Sequence, residues 1–356
     1  MIQVNWRSLK SNIYPWHLHP LQLLTLFFLL AWFAMSCTMP NSATTVAPAS
    51  LALNYKNPVF AEDFPDPFIL PVGNDYYGYA TNAGSMNIQV IHSTDLVHWE
   101  RVGKNGDALP QLPQWAASYQ LLTWAPSVLQ QGKQFTLYYV ARYTTAGRQC
   151  ISYAISDKPD GPFVDSSTQP FICQLDQGGS IDPNVFVDQD GTPYLLWKSD
   201  GNCCNLPIWI YSQRLSKDGH TLVGEPHQLI TRDLLWEVPL VENPGLLLHN
   251  DKYYLIYSAN WWESADYAIG YAVCDTPSGP CQKRQKQPIV TSSGDTVGPG
   301  GGSFFTTPDN QLWMAYHAWT APDVGYGVGG QRRLYLGRVT FADDKPAIIR
   351  PEAEQK

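Results

Sequence analysis

Apolar and polar positions alternate in short runs along the chain, and no amphipathic stretch of helical period and real length competes with them. The runs recur in a fixed order. A proline-opened apolar run, Asp66-Pro67-Phe68-Ile69-Leu70, is followed by a turn at Gly73-Asn74-Asp75 and by Tyr76-Tyr77-Gly78-Tyr79. The order returns at Ala125-Pro126-Ser127-Val128-Leu129, at Asp182-Pro183-Asn184-Val185-Phe186 and at Asn243-Pro244-Gly245-Leu246-Leu247-Leu248, each with its own turn and aromatic run. A looser fifth copy, Gly302-Ser303-Phe304-Phe305, leads through Asp309-Asn310 to Leu312-Trp313-Met314-Ala315-Tyr316. A third apolar run closes each copy, from residues 88–92 in the first to 334–338 in the fifth.

Short β-branched and aromatic runs set between Gly, Asn and Asp turns are strands, and the first two of each copy form a hairpin. Pro67, Pro126, Pro183 and Pro244 are spaced 59, 57 and 61 residues apart. A fixed period with several strands per unit predicts a radial or stacked repeat, and antiparallel blades about an axis fit it better than a solenoid. The expected fold is all-β, a five-bladed β-propeller over residues 51–350, with no second domain left over in the 356 residues.

The N-terminus departs from this pattern. Arg7 and Lys10 precede an apolar stretch over residues 21–35, so residues 1–36 read as a signal peptide. The unbroken apolar run, 26–35, is about half of the ~20 residues that a membrane span needs. The segment ends Ala34-Met35-Ser36-Cys37, which resembles a bacterial lipobox, and Thr38 after the cysteine resembles outer-membrane sorting. The expectation is an exported lipoprotein, held to a membrane only through lipid on Cys37, with residues 37–50 as a flexible tether.

Charge then narrows the partners. Lys and Arg number 23 against 31 Asp and Glu, a formal net charge of -8, and no basic stripe offers a polyanion a footing, so nucleic acid is excluded. Seven cysteines are an odd set for an exported chain; a lipidated Cys37 leaves Cys150, Cys173, Cys203, Cys204, Cys274 and Cys281. Cys274 and Cys281 bracket a turn sequence and are expected to pair, while the connectivity of the other four is open.

In a propeller the first strand of each blade lines the axis, so equivalent positions meet around one mouth. Registered on the prolines, Asp66 and Asp182 directly precede theirs and Glu242 sits one residue earlier. A single Asp-Pro reads as a strand-opening dipeptide, its Asp held extended by the proline. Three acids at one ring are different, because crowded carboxylates repel and lose solvation, a cost that use would justify. Such crowding splits pKa values into an acid and a base, as glycoside hydrolysis requires.

Five motifs in blade order, Phe64-Pro65-Asp66-Pro67, Trp124-Ala125-Pro126-Ser127, Ser180-Ile181-Asp182-Pro183, Val241-Glu242-Asn243-Pro244 and Tyr316-His317, resemble glycoside hydrolase family 43. These are inverting propeller enzymes of arabinose- and xylose-containing glycans. The resemblance implies Asp66 as general base, Glu242 as general acid and Asp182 as the carboxylate that orients the acid and raises its pKa. It implies an arginine, Arg332 or Arg333, reaching toward the sugar. It also implies a structural Ca2+ near the axis, beside His317 through water, with no cofactor required for the reaction. Two departures stand out: Asn243 follows the acid where relatives commonly have Gly, and Gly300-Gly301-Gly302 replaces a His that several relatives carry.

Trp124 is the first choice for the wall of a sugar pocket, with Phe64, Trp261 and Trp262 behind it, because flat apolar rings pack on sugar faces. Trp99, Trp197 and Trp313 read as core, and Asp63 as a rim residue. The expected activity is release of arabinose from arabinan or arabinoxylan by a monomeric α-L-arabinofuranosidase. β-Xylosidase, endo-arabinanase and a non-catalytic glycan-binding lipoprotein are the alternatives. Residues 83–86, 111–123, 200–206 and 259–264 are the loops expected to choose among plant cell-wall polysaccharides.

Overall fold

The computed structural model describes residues 55–119 and 122–351. The expected signal peptide, Cys37 and the expected tether to residue 50 lie outside the described residues, as do Gln120 and Leu121 of the 111–123 loop.

Five antiparallel sheets follow one another along the chain, each ordered as the sequence runs. Their first strands are Phe68–Val72, Trp124–Gln131, Ser180–Val187, Val241–His249 and Thr296–Thr306. Four blades have four strands; blade two has three, with Ile155 pairing with Val164 where a fourth would begin. The first strands neighbour one another in order, and that of blade five meets that of blade one, so the ring closes. Helical turns among the described residues are all short 3-10 segments, such as Gly201–Cys204 and Tyr326–Val328.

The core divides into five apolar clusters, one in each seam between blades. Tyr79 and Val90 meet Leu137 and Tyr139 between blades one and two, and Val140 and Ile151 meet Leu195 and Trp197 between two and three. Leu196 and Ile210 meet Leu246 and Leu255, Ile256 and Ile269 meet Met314 and Tyr316, and Phe305 and Leu336 meet Ile69 and Ile91. Burying each large side chain contributes about 1.5–3 kcal/mol, so every seam is a separate adhesive and most of the aromatic richness is spent there. Trp197 and Trp313 are buried and Trp99 packs on the last seam, as expected. The final seam is reinforced by the segment before blade one: Val59 N–H donates to Leu334 O, and Asn57 exchanges hydrogen bonds of 2.8 and 2.9 Å with the Leu336 backbone.

One backbone feature repeats in all five blades and positions the site. Asp66, Ala125, Asp182, Asn243 and Gly301 all have left-handed φ, between 38° and 61°. In blades two to five the strand register breaks at this point. A proline ordinarily holds the residue before it extended; in blades two to four the bulge overrides this and turns the side chain relative to the ladder, and Asp66 takes the same left-handed conformation just ahead of the first strand of blade one. Asp and Asn tolerate this conformation better than other side chains. Gly301 has a further reason, since a Cβ there would lie 2.5 Å from His317 Nδ1. In blade four the true equivalent of Asp66 is therefore Asn243, and Glu242 comes from the residue before the bulge.

Candidate active site

The five left-handed residues surround the axis, and above them opens a cleft of about 1030 Å3 that contains Asp66, Asp182 and Glu242. Asp66 and Glu242 come from blades one and four, which are not neighbours in the ring. Asp66 Oδ2 accepts a 2.7 Å hydrogen bond from Thr81 Oγ1, which itself accepts from the Ala125 N–H. Its amide donates to His317 Nδ1 at 3.0 Å, and Arg332 Nη1 lies 3.6 Å from Oδ1. The carboxylate is thus oriented from blades one and five and keeps an exposed edge of 13% toward the cleft.

Glu242 is held at both oxygens. Lys198 Nζ reaches Oε2 at 2.9 Å and the Tyr267 hydroxyl donates to Oε1 at 2.8 Å. Tyr267 also lies 3.0 Å from Asn243 Oδ1, and Asn243 Nδ2 approaches Asp66 Oδ1 at 3.5 Å, so a polar bridge links the two carboxylates across the axis. Asp182 is buried beneath them and accepts from the Asn243 N–H at 3.0 Å.

Burial, and after it the charge of Glu242, pushes Asp182 up to about 8, with Lys198 opposing. Burial would lower Lys198, but Glu242, Asp182 and Asp200 together outweigh it and hold the ammonium charged. Asp200 rises to about 6, mainly by burial. At neutral pH Asp182 therefore keeps its proton, Asp200 has lost most of its own, and the Lys198 ammonium sits among these acids as the balancing charge.

Trp124, Trp261, Trp262 and Arg332 line the cleft. The Arg332 guanidinium lies 4.8 Å over Trp262 and 5.4 Å over Tyr326, and its amide donates to Asp63 at 2.8 Å. Asp63, expected only as a rim residue, thus anchors the arginine that reaches Asp66. Two expectations are corrected. Phe64 is fully buried, edge-on to Phe60 in the seam of blades five and one, so no sugar reaches it. Arg333 is no part of the cleft: it opens the strand Arg333–Ala342, and its Nη1 donates to Thr320 Oγ1 instead.

His317 is fully buried, stacked on Tyr267 and held neutral well below its usual range by burial and then by Arg332. Because Nδ1 accepts the Asp66 amide, the ring proton sits on Nε2, which is buried without a hydrogen-bond partner. A protonated nitrogen cannot ligate a cation, and water bound to a cation is a poor acceptor for it. Among the described residues no group of three or more His, Cys, Asp or Glu is placed to hold a metal ion. These residues do not fit the axial Ca2+ that was expected beside His317.

Lys198, Tyr267 and Thr81 are site residues that the sequence reading passed over, and Asn243, noted there only as a departure after Glu242, joins them. A lone lysine in the apolar run Leu195-Leu196-Trp197-Lys198 was the available signal, because a charge on a central strand is buried only with a partner.

A carboxylate with an exposed edge, a second one gripped on a non-adjacent blade and a buried third are the equipment of a carboxylate glycoside hydrolase. Residues 55–346 match the model of Glycosyl hydrolases family 43, and the chain belongs to that family. It is 28% identical to Xylosidase/arabinosidase 43B of Humicola insolens, over 80% of this chain and 52% of that protein. It is 27% identical to the arabinoxylan arabinofuranohydrolase of Paenibacillus polymyxa, over 72% and 42%. The chain thus spans about half the length of these curated relatives. The structure of a thermostable family-43 glycoside hydrolase superposes with a TM-score of 0.72 at 34% identity, covering 84% of this chain and 96% of that one. An endo-1,4-β-xylanase from Bacteroides thetaiotaomicron gives 0.66 at 31% identity, with 82% and 95% covered.

Proposed function

We propose that the protein is an exported, inverting α-L-arabinofuranosidase that releases arabinose from arabinan or arabinoxylan, anchored to a membrane through lipid on Cys37. The observation that carries the catalytic part is the placement of Asp66 and Glu242 on non-adjacent blades across one cleft. Asp66, oriented by Thr81 and Arg332, takes a proton from a water, which attacks the anomeric carbon. Glu242 gives a proton to the departing oxygen, and the buried Asp182, which keeps its own proton, spares the acid a second negative charge beside it. Two carboxyls and water suffice for this displacement, and an inverting enzyme must leave room for that water, with ~6.5–9.5 Å between the carboxyls. Trp124 and Trp262 offer faces to the sugar, and Arg332 both neutralises the base and braces the aromatic wall.

The names of the arabinofuranohydrolase and xylosidase/arabinosidase relatives support a pentose substrate. β-Xylosidase is the second reading, favoured by the xylan-directed title of the Bacteroides neighbour. Hydrolysis of 4-nitrophenyl α-L-arabinofuranoside against the β-D-xyloside decides between them, and proton NMR of the first sugar released reads the stereochemistry. The proposal expects faster cleavage of the arabinofuranoside and an inverted anomer. A retained anomer, or no cleavage of either compound or of arabinan, contradicts it.

A further inference from the structure

The Gly201–Cys204 turn of blade three carries a feature that the catalytic set does not use. Cys203 and Cys204, adjacent in the chain, are bonded to each other. The other two disulfides have structural places: Cys150–Cys173 ties blade two to the connection that follows it, and Cys274–Cys281 joins paired strands of blade four. A bond between neighbours ties together no distant parts of the chain, so its stabilising effect through loop closure is minimal. Its position suggests another use. Cys203 is exposed and lines the cleft, beside the exposed Asn202.

The turn is built to hold that position. Asp200 N–H donates to Gly179 O, Cys203 N–H to Asp200 O, and Leu206 N–H to Gly201 O. The Cys203 sulfur packs against Gly178, where a Cβ would come within 3.1 Å of it and where φ is 91°. The small disulfide ring is therefore backed by bare backbone and presents a rigid, polarisable face without a strong hydrogen-bond donor. Such a face suits the C–H side of a sugar ring, with the Asn202 amide available to its hydroxyls.

The turn also begins beside the Glu242 grip, since Asp200 interacts electrostatically with both Lys198 and Glu242. It follows the strand Pro193–Ser199, whose Lys198 touches Glu242, and five residues of chain reach at most about 18 Å. The general acid faces the departing group, and the base faces the attacking water from the opposite side. We propose that the Cys203–Cys204 ring is the packing face of a subsite for the sugar on the leaving-group side, giving the enzyme part of its preference for oligomeric glycans. This inference rests on the glycosidase reading of the cleft.

The test is Cys203→Ser with Cys204→Ser, assayed on arabino-oligosaccharides and on 4-nitrophenyl α-L-arabinofuranoside, which has no sugar on that side. The expected result is a KM for the oligosaccharide raised about fivefold or more, with kcat little changed, while the aryl glycoside is cleaved within about twofold of wild type. A measurement without the cysteine replacements accompanies it. In an Asp66→Asn background, saturating oligosaccharide should slow phosphine reduction of Cys203–Cys204, read by alkylation of the peptide between Lys198 and Arg214, and leave Cys274–Cys281 unprotected. An unmoved oligosaccharide KM, equal losses on both substrates, absence of protection, or free thiols at both positions in the native enzyme overturns the proposal. A wild type that cleaves neither substrate overturns the glycosidase reading itself, and this subsite with it.

Discussion

Lys198 Nζ lies 2.9 Å from Glu242 Oε2, and the lysine side chain has no solvent exposure. A cation fixed there favours the ionised carboxylate, whereas the reaction needs Glu242 to deliver a proton. The buried Asp182 eases the conflict, because burial and the charge of Glu242 keep its proton on, so that no second negative charge sits beside the acid.

Removing that cation should move the pH profile. Lys198 is faced by Glu242, Asp182 and Asp200, and Asp200 in turn feels Arg142 and Arg148. In Lys198→Met the carboxyl pair loses the charge that eases its last deprotonation, so the alkaline limb of kcat/KM should shift upward. With Glu242 released from its grip, kcat should fall about 10- to 100-fold. Breaking a buried ion pair costs about 3–5 kcal/mol, and Lys198→Met with Glu242→Gln should lose less than the two single changes added together. Urea denaturation and pH-rate curves check both, and an unmoved alkaline limb would show that Lys198 is only a packing element.

Asp182 ties activity to a loss of stability. Its carboxyl titrates at about 8 in the fold against 3.8 when unperturbed. Between those values the folded state holds a proton that the unfolded state releases, so its contribution to stability falls as pH rises from about 4 to 8. Asp182→Asn imitates the protonated form and cannot ionise. It should melt at a higher temperature than wild type at pH 8–9 and closer to it at pH 5, while kcat drops about 100-fold or more. Melting curves at the two pH values decide the matter.

Arg332 and Arg333 separate function from scaffold on adjacent positions. Arg332→Ala removes the partner of Asp66 and the brace on Trp262 and Tyr326, and kcat/KM should fall at least about tenfold. Arg333→Ala should leave kcat/KM within about twofold, because Arg333 faces Thr320 and not the cleft. Equal losses in the two variants would contradict the assigned orientations.

His317 sets an acid limit on stability. Folded, it stays neutral well below the ordinary 6.5; unfolded, it takes up a proton, so stability falls as pH drops below about 6.5. His317→Gln, which keeps an acceptor for the Asp66 amide, should lose less melting temperature between pH 7 and pH 4.5 than wild type. His317→Phe leaves that amide unpaired and should cost about 1–3 kcal/mol along with part of kcat.

Much of the architecture was legible because each blade repeats a proline-anchored hairpin, and the period alone counted the blades. Asp66, Asp182 and Glu242 could be placed from that register, and Trp124, Trp261, Trp262 and Arg332 fell in the cleft with them. The residues missed depend on contacts between blades. Lys198 and Glu242 are 44 positions apart, and no local pattern announces which strand faces which. Phe64 failed because an aromatic next to a catalytic motif can pack into the seam as readily as onto a sugar. The left-handed ring was hidden as well, since a proline ordinarily implies an extended predecessor and only the bulge overrides it. The Cys203–Cys204 pairing could not be read, because four of the cysteines allowed several connectivities.

The central claim is that Asp66 and Glu242 act as base and acid across the cleft. Its most direct test is the turnover of the substrate preferred by wild type, compared with that of Asp66→Asn and Glu242→Gln in enzymes shown to be folded. Each variant should lose about 100- to 10,000-fold in kcat. Either one keeping near wild-type turnover would contradict the assignment.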